Sequence, residues 1–185
     1  RVLFRSDHEK VGYVIPEKKA GKNMARIQLD PGQSIIIRCT DKDVTQLPQW
    51  KYLSDPTKTV ELKGPWKLNF TEGGPKLPAS VDLDQLTSWA ELEDKNAQYF
   101  SGTANYEYTL NLDGELAPEY QLNLSKVAES ARVWINDQEV DVLWSFPFKV
   151  RVGEFLKPGE NSIKIEVANL MANRIRYMDQ TGMEW

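Results

Sequence analysis

One stretch decides the fold class: Tyr106-Glu107-Tyr108-Thr109-Leu110-Asn111-Leu112, in which every second residue is apolar and the residues between are polar. Successive side chains of a β-strand point to opposite faces. Strict alternation therefore predicts a strand with one buried and one solvated face. We expect Tyr106 and Tyr108 to point into a hydrophobic core.

The same alternation recurs on both sides of this stretch. The apolar positions are Val60, Leu62, Trp66, Leu68 and Phe70; Tyr120, Leu122 and Leu124; Ala131, Val133 and Ile135; Phe148, Val150 and Val152; and Ile163, Ile165 and Val167. Turn residues separate the runs, namely Asp113-Gly114, Asn136-Asp137 and Lys157-Pro158-Gly159. Many short alternating strands with turns between them predict an all-β protein, a sandwich or barrel of antiparallel strands.

The sequence predicts a division into three parts. The first part ends in the β-branched run Ser34–Arg38, which predicts the last strand of a preceding sheet. The second is polar and contains prolines, and we expect it to be a linker that Trp50 and Tyr52 pack down. The third carries the repeated alternation, and its only predicted helical turn follows Asp82 as N-cap, over residues 83–89. The boundaries are 1–40, 41–58 and 59–185.

Composition excludes several function classes. The 185 residues carry a net charge of −4, whereas nucleic-acid-binding proteins present a basic stripe. No run of 18 apolar residues occurs, so no membrane-spanning helix is predicted. One histidine, His8, and one cysteine, Cys39, exclude a multi-histidine zinc site and an internal disulfide. We expect His8 to be an exposed bystander, and Cys39 to be a buried small hydrophobe rather than a reactive thiol.

A series of short motifs follows in fixed order between residues 59 and 176. They are Leu62-Lys63-Gly64-Pro65-Trp66-Lys67-Leu68-Asn69-Phe70, Ser88-Trp89, Tyr99-Phe100-Ser101-Gly102-Thr103-Ala104-Asn105-Tyr106, Ala131-Arg132-Val133-Trp134-Ile135-Asn136, Trp144 with Pro147-Phe148, Leu156-Lys157-Pro158-Gly159-Glu160-Asn161, Val167-Ala168-Asn169 and Asn173-Arg174. Together they resemble the galactose-binding-like, sugar-binding domain of bacterial glycoside hydrolases. The resemblance is greatest to the C-terminal sandwiches of the family-106 rhamnosidase group and, more distantly, to the sugar-binding domain of family-2 enzymes.

This resemblance implies an antiparallel jelly-roll β-sandwich without catalytic residues, because the catalytic carboxylates of such enzymes lie on a separate domain. Residues 1–40 are similar to the strand that closes the preceding β-domain there. Two departures are visible. Asn136-Asp137 replaces the family's Asn-Gly, yet both residues suit a tight turn. The chain stops at Trp185, so we expect the last strands to be missing or supplied differently. Relatives act on polysaccharides outside the cytoplasm, which implies a periplasmic or extracellular location.

Aromatic and amide side chains are the candidate binding residues. Sugar rings present flat C–H faces that stack on aromatic rings, and their hydroxyls need polar partners. The candidates are Trp89, Tyr99, Trp134, Trp144, Asn169, Asn173 and Arg174. Each has a structural alternative, in which the aromatic rings anchor loops and the last three residues fasten the terminal loop. We expect Trp89 and Trp144 at one end of the sandwich, with Asn169 and Arg174 nearby, forming a shallow shelf. Trp66 is predicted to be core.

The acidic residues give no comparable signal. Hydrolysis of a glycoside needs two carboxyl groups flanking one bond, and no such pair can be singled out. Glu91, Glu93 and Asp94 predict a solvated face. The candidate ligands for a structural calcium are Asp82 with Asp84 and Asp41 with Asp43, but neither pair belongs to a defined calcium loop. No cofactor is predicted.

Three functions remain open from the sequence. The first is a carbohydrate-binding accessory domain, and the second a structural module that buttresses the catalytic domain of the same polypeptide. The second predicts an exposed apolar patch where the neighbour packs. The third, an independent hydrolase, is the weakest, since it requires a carboxylate pair in one cleft. The expected partners are therefore carbohydrate, the catalytic domain, or both.

Overall fold

The computed structural model describes the backbone of residues 2–6 and both backbone and side chains of residues 11–29 and 31–184. The chain divides into two compact units, Arg1–Lys58 and Thr59–Trp185. Its sheets are antiparallel throughout their named strands, and the prediction of an all-β sandwich fold is confirmed. His8 lies outside the described residues.

The described residues of the first unit form five short strands. They are β1 Val2–Ser6, β2 Val11–Val14, β3 Glu17–Lys19, β4 Lys22–Met24 and β5 Ile35–Cys39. Strands β2, β1 and β5 form one sheet in that order, and β3 and β4 form a separate hairpin. Residues 41–58 belong to this unit: the Trp50 N–H donates to the Tyr13 carbonyl at 2.8 Å. The side chains of Trp50 and Tyr52 pack against Val14.

The prediction of a buried Cys39 is wrong, because the cysteine is exposed. The apolar run Ile35–Ile37 that precedes it suggested burial. In the structure β5 pairs only with β1 among the described strands, and four of its five residues are exposed.

The second unit is the sandwich. Its elements are β6 Trp66–Gly74, β7 Val81–Leu83, α1 Lys95–Gln98, β8 Ser101–Leu112, β9 Gln121–Asn123, β10 Ser130–Ile135, β11 Gln138–Leu143, β12 Lys149–Arg151, β13 Gly159–Ala168 and α2 Ala172–Thr181, with 3₁₀ turns at Trp89–Glu91 and Gly153–Phe155. Six strands form one sheet in the order β11-β10-β13-β8-β6-β7, and β12 pairs with β9 in a second sheet.

Register explains why the alternating positions form a single core. Val133 pairs with Ile165, Ile165 with Tyr106, and Tyr106 with Leu68, so one row of inward side chains crosses four strands. All four are buried, as the alternation predicts. Burying one such side chain contributes about 1.5–3 kcal/mol, so rows of this kind hold the sheet together. Trp66 is core as predicted, with 1% of its surface exposed.

Two details of the local predictions are wrong. Val60 was expected on the core face but is 61% exposed. The strand begins only at Trp66, because the Gly64 N–H instead donates to the Asp84 carbonyl at 2.8 Å and Pro65 has no N–H to donate. The helical turn lies later than predicted, since Ser88, not Asp82, caps it by accepting from the Ala90 N–H.

The helix α2 was not predicted. It has ten residues, and its N-cap, Met171, makes no side-chain capping hydrogen bond. It ends at Gly182, whose φ of 68° is in the left-handed region that glycine adopts readily. By contrast, the tight turn predicted at Asn136-Asp137 is confirmed, with φ of 51° and 63°. No helix in the described part of the chain is long and apolar enough to cross a membrane.

Candidate functional site

Strand register brings the connections after β11 and β13 to the same end of the six-stranded sheet. The last residue of β11 pairs with Ala131 and the last residue of β13 with Ser130, both near the start of β10. Trp144 and Asn169 follow these strand ends directly. With neighbouring strands about 4.8 Å apart, their backbones lie roughly 10 Å apart across the sheet end. The structure therefore places Trp144 and Asn169 at one end of the sheet.

Both polar groups of the Asn169 side chain are used inside the protein. Its Oδ1 accepts from the Gly102 N–H at 2.8 Å, and its Nδ2 donates to the Phe100 carbonyl at 3.0 Å. Its backbone N–H also donates to the Gly102 carbonyl at 3.1 Å. Asn169 thus fastens the end of β13 to the start of β8, which is the structural alternative to a ligand contact.

The helix α2 closes the same end of the sheet. Tyr177 of the helix stacks on Tyr99, with ring centroids 4.2 Å apart and an angle of 28° between the rings. Within the helix, the Arg174 guanidinium lies over the same Tyr177 ring, 5.3 Å from its centroid. Asn173 is half-buried at the start of the helix. Tyr99 therefore holds α2 in place, and Tyr99 and Arg174 are each only partly open to a partner.

A depression of about 360 Å³ lies between α2 and the sheet end. Its lining residues are Gly74, Pro75, Ser101, Gly102, Asn169, Met171 and Arg174. Arg174 is the one lining residue with a charge, and its guanidinium fits a hydroxyl or a carboxylate. The Ser101 hydroxyl is already directed elsewhere, since it donates to the Leu170 carbonyl at 3.0 Å.

Two glycines allow the strands beside this depression to approach closely. Gly73 and Gly102 are paired across β6 and β8, with φ of 139° and 156°. A Cβ atom on Gly73 would lie 2.6 Å from the Gly102 Cα, and one on Gly102 would overlap the Glu72 carbonyl. Only glycine allows the two backbones to approach this closely.

Exposed apolar side chains lie in the two connections that leave this end of the sheet and in α2. Trp144 is 68% exposed, and Phe146, two residues further in the same connection, is 60% exposed. Leu170 and Met171 precede α2 and are 61% and 60% exposed, and Ile175 of α2 is 38% exposed. We call these five residues together with Arg174 the end surface. It combines aromatic, methionine and arginine side chains, the types enriched in protein interfaces.

The predicted contribution of Trp89 to a surface shelf is wrong. Trp89 is only 4% exposed. Its ring stacks on Tyr106 at 6.3 Å and meets Phe70 and Phe100 edge-on at 6.0 and 6.2 Å. An aromatic cluster inside the sandwich therefore takes up the ring, and no face of it is available to a ligand.

Trp134 is half-buried and lies away from the end surface. It is on the outer face of β10, four residues beyond Ser130. The Lys164 Nζ lies 4.0 Å from its ring centroid and the Arg132 Cζ 5.7 Å away. These cations cover the ring, and each contact of this kind stabilises by about 0.5–1 kcal/mol at an exposed site. Trp134 thus packs with these two cations on the outer face of the sheet and is not part of the end surface.

Tyr106 is the titratable group with the largest shift among the described residues. Burial raises the pKa of its phenol to about 12. Its hydroxyl donates to the Thr87 carbonyl at 3.0 Å. The phenol stays protonated at neutral pH and acts as a structural donor that ties the Thr87 loop to the core.

The described residues contain no group of three or more histidine, cysteine, aspartate or glutamate side chains placed to hold a metal ion. Asp43, one of the four aspartates considered for calcium, accepts from the Thr45 N–H at 3.0 Å and from its hydroxyl at 2.8 Å. This carboxylate therefore caps a turn.

No protein-family model matches the chain. A protein of Formosa agariphila, provisionally named a beta-glucuronidase, is 34% identical over 119 residues. That match covers 63% of this chain but only 10% of the Formosa protein.

Solved structures share the fold. The rhamnosidase from Novosphingobium sp. PP1Y superposes on 85% of this chain with a TM-score of 0.63 and 25% identity, and the match covers 16% of that chain. A beta-glucuronidase of an uncultured Clostridium sp. superposes on 65% of this chain with a TM-score of 0.53 and 20% identity, and the match covers 24% of that chain. The chain therefore corresponds to a quarter or less of these proteins, and it is similar to a domain-sized part of a glycoside hydrolase.

Proposed function

We propose that this chain is a non-catalytic accessory part of a larger glycoside hydrolase, and that its end surface packs against the catalytic domain of the same polypeptide. One observation carries the proposal: the rhamnosidase superposes on 85% of this chain, yet the matched part is only 16% of that chain. The catalytic activity of the full polypeptide would then reside in the remainder.

The composition of the end surface supports an interdomain contact. Five apolar side chains, exposed by 38–68%, belong to the two connections that leave one end of the sheet and to α2, which also carries Arg174. A large exposed apolar patch with a polar rim is typical of a protein interaction site. The hypothesis of a structural module predicted such a patch. In this proposal the neighbouring domain covers the patch.

A second candidate function is carbohydrate binding at the same end. The observation in its favour is the Trp144 ring, 68% exposed and positioned at the same sheet end as the Arg174 depression. A sugar ring stacked on Trp144 with a hydroxyl or carboxylate at Arg174 would use both. Interface composition favours the domain contact, because Leu170, Met171 and Ile175 offer a sugar no hydrogen bond.

Replacing Trp144 by alanine tests whether the end surface binds a partner or is merely exposed to solvent. In the 185-residue chain we expect a change in the free energy of unfolding of less than about 0.5 kcal/mol, since Trp144 is largely exposed. In the full-length polypeptide the same change should weaken the domain contact by about 1–3 kcal/mol, measured as a lower unfolding midpoint.

Leu86→Ala is the matched control. Leu86 is 46% exposed and follows β7, whose last residue, Leu83, pairs with Trp66 at the opposite end of the sheet. Leu86→Ala should leave the stability of the 185-residue chain and of the full-length polypeptide unchanged. The other outcome is that the Trp144 variant of the full-length polypeptide is as stable as the unchanged protein but no longer binds glycan in a titration. The end surface would then bind carbohydrate and not the catalytic domain. If the variant loses neither stability nor glycan binding, the end surface has neither of the two proposed functions.

The proposed location is the periplasm or the cell exterior, as the resemblance to polysaccharide-degrading enzymes implies. Fractionation of cells that produce the full-length polypeptide, followed by immunodetection, tests it. Recovery in the cytoplasmic fraction would contradict it.

A further inference from the structure

Arg174 is a cation without a carboxylate partner in the described part of the chain. It forms no ion pair with any residue that the structure describes, and none of the residues that line its depression is acidic. The positions three and four residues away in the sequence, from which a helical carboxylate could reach it, hold Leu170, Met171, Tyr177 and Met178. The charge of Arg174 is therefore not compensated by its surroundings in this chain.

The guanidinium of Arg174 is held in a defined position. It lies over the Tyr177 ring, 5.3 Å from the centroid. Tyr177 in turn stacks on Tyr99, which directly follows α1, with 4.2 Å between the ring centroids. The ring beneath the guanidinium is thus anchored to a second element of the sandwich. A planar group that is already positioned loses little conformational freedom when it binds a partner.

A domain that covers the end surface also covers Arg174. Met171 lines the same depression and lies three positions before Arg174, so the two side chains share one side of the helix start. Taking a guanidinium out of water without a partner is costly, because the charge loses its hydration. An apolar contact over Met171 is therefore favourable when it also brings an acceptor to Arg174. A carboxylate fits best, since its two oxygens accept two parallel N–H groups of the guanidinium.

We propose that the depression beside α2 receives an aspartate or glutamate side chain of the neighbouring catalytic domain, and that Arg174 binds its carboxylate. This inference rests on the proposed packing of the end surface against that domain and names the chemistry of one contact point. The apolar side chains of the end surface supply the buried area. The ion pair fixes how the two domains are oriented, because a bidentate pair is geometrically specific.

The neighbours of Arg174 favour an acidic side chain over a sugar acid as the occupant. Leu170, Met171 and Ile175 are exposed by 61%, 60% and 38%. These side chains gain from contact with another apolar surface, whereas they offer the hydroxyl groups of a sugar no hydrogen bond. A protein surface with one carboxylate among apolar residues complements both parts of this region.

Replacing Arg174 by leucine tests the inference through the direction of its effect. Leucine is a good helix former and extends the apolar surface. If a carboxylate of the covering domain faces Arg174, leucine leaves that carboxylate buried and unpaired, and the contact weakens. If no carboxylate faces it, leucine removes a charge that is costly to bury, and the contact tightens.

Hydroxyl-radical oxidation of Trp144 in the full-length polypeptide measures the contact, because this ring is far from residue 174 in sequence and 68% exposed when uncovered. We expect Arg174→Leu to raise its oxidation about tenfold, toward that of the 185-residue chain. Arg174→Lys keeps the charge but not the planar fork, so it should preserve the protection in part.

Arg176→Leu is the matched control. Arg176 lies on the same helix, is exposed and does not line the depression. It should leave Trp144 protected. In the 185-residue chain, Arg174→Leu should leave the unfolding midpoint nearly unchanged, because the stack of Tyr177 on Tyr99 remains. A weakened contact in the full-length polypeptide is then not caused by a displaced helix.

Unchanged or stronger protection of Trp144 in the Arg174→Leu variant would overturn the inference and leave the domain contact in place. If Trp144 is already exposed in the unchanged full-length polypeptide, the proposed function fails, and the inference fails with it. A titration of D-glucuronate into the 185-residue chain tests for a sugar acid. We expect no binding, because a single exposed ion pair is weak. Binding that Arg174→Leu abolishes would overturn the inference in favour of a sugar acid.

Discussion

Replacing Asn169 by alanine should destabilise the sandwich without any ligand present. The side chain joins the end of β13 to the start of β8 through two hydrogen bonds, from the Gly102 N–H at 2.8 Å and to the Phe100 carbonyl at 3.0 Å. Alanine removes both and leaves the backbone hydrogen bond from Asn169 to Gly102 in place. The change therefore isolates the fastening role of the amide.

The magnitude follows from the two bonds and the groups they leave behind. A hydrogen bond contributes about 0.5–1.5 kcal/mol net, and a donor or acceptor left buried without a partner costs about 1–3 kcal/mol. Phe100 is fully buried, but Gly102 is half-buried and lines the depression, where water can replace the amide at its N–H. We expect a loss of about 2–3 kcal/mol, a large share of the roughly 5–15 kcal/mol of a typical domain.

Urea unfolding of the 185-residue chain, followed by tryptophan fluorescence, measures this loss as a lower midpoint at unchanged slope. Asn111→Ala is the control, because Asn111 is an exposed asparagine whose amide bonds only to the exposed Asp113. It should change stability by less than about 0.5 kcal/mol. An Asn169 variant that is as stable as the Asn111 variant would refute the fastening role and return Asn169 to the candidate ligand contacts.

Three further outcomes are expected. Gly102→Ala should prevent the close pairing of β6 with β8 and lower the unfolding midpoint strongly, whereas Gly114→Ala, in an open turn, should cost far less; equal effects would contradict the crowding. Trp89→Ala should cost about 3–5 kcal/mol in the same unfolding assay, because it removes the ring from a buried cluster. Between pH 10 and 12 the unfolded chain loses the Tyr106 proton that the folded chain keeps, so stability should fall by up to about 2–3 kcal/mol as pH rises. Tyr106→Phe should flatten that fall in unfolding curves measured across this range, and an unchanged slope would argue against the raised pKa.

The alternation of apolar and polar residues was sufficient to predict the core strands. Tyr106 and Val133 are buried because each belongs to a run whose partners across the sheet alternate in the same phase. The Asn136-Asp137 turn was predictable for a local reason, since both residues tolerate positive φ. Both the alternation and the turn residues can be recognised from neighbouring positions in the sequence.

The remaining features depend on contacts between distant segments. The helix α2 has no capping side chain, and what holds it is the stack of Tyr177 on Tyr99, 78 positions earlier in the chain. Trp89 was misplaced because a loop position does not reveal that its ring packs edge-on against Phe70 and Phe100. The exposure of Cys39 depends on which strands flank β5, and a run of isoleucines carries no information about that.

Oxidative footprinting of Trp144 tests the central claim most directly. Hydroxyl radicals modify exposed tryptophan and methionine side chains, so the extent of oxidation of Trp144 and Met171 reports whether the end surface is covered. Both are exposed in this chain, by 68% and 60%. We expect oxidation of both to fall at least about tenfold in the full-length polypeptide, while Leu86 at the opposite end keeps its reactivity. Equal oxidation of Trp144 and Met171 in the two proteins would contradict the proposal that the end surface packs against the catalytic domain.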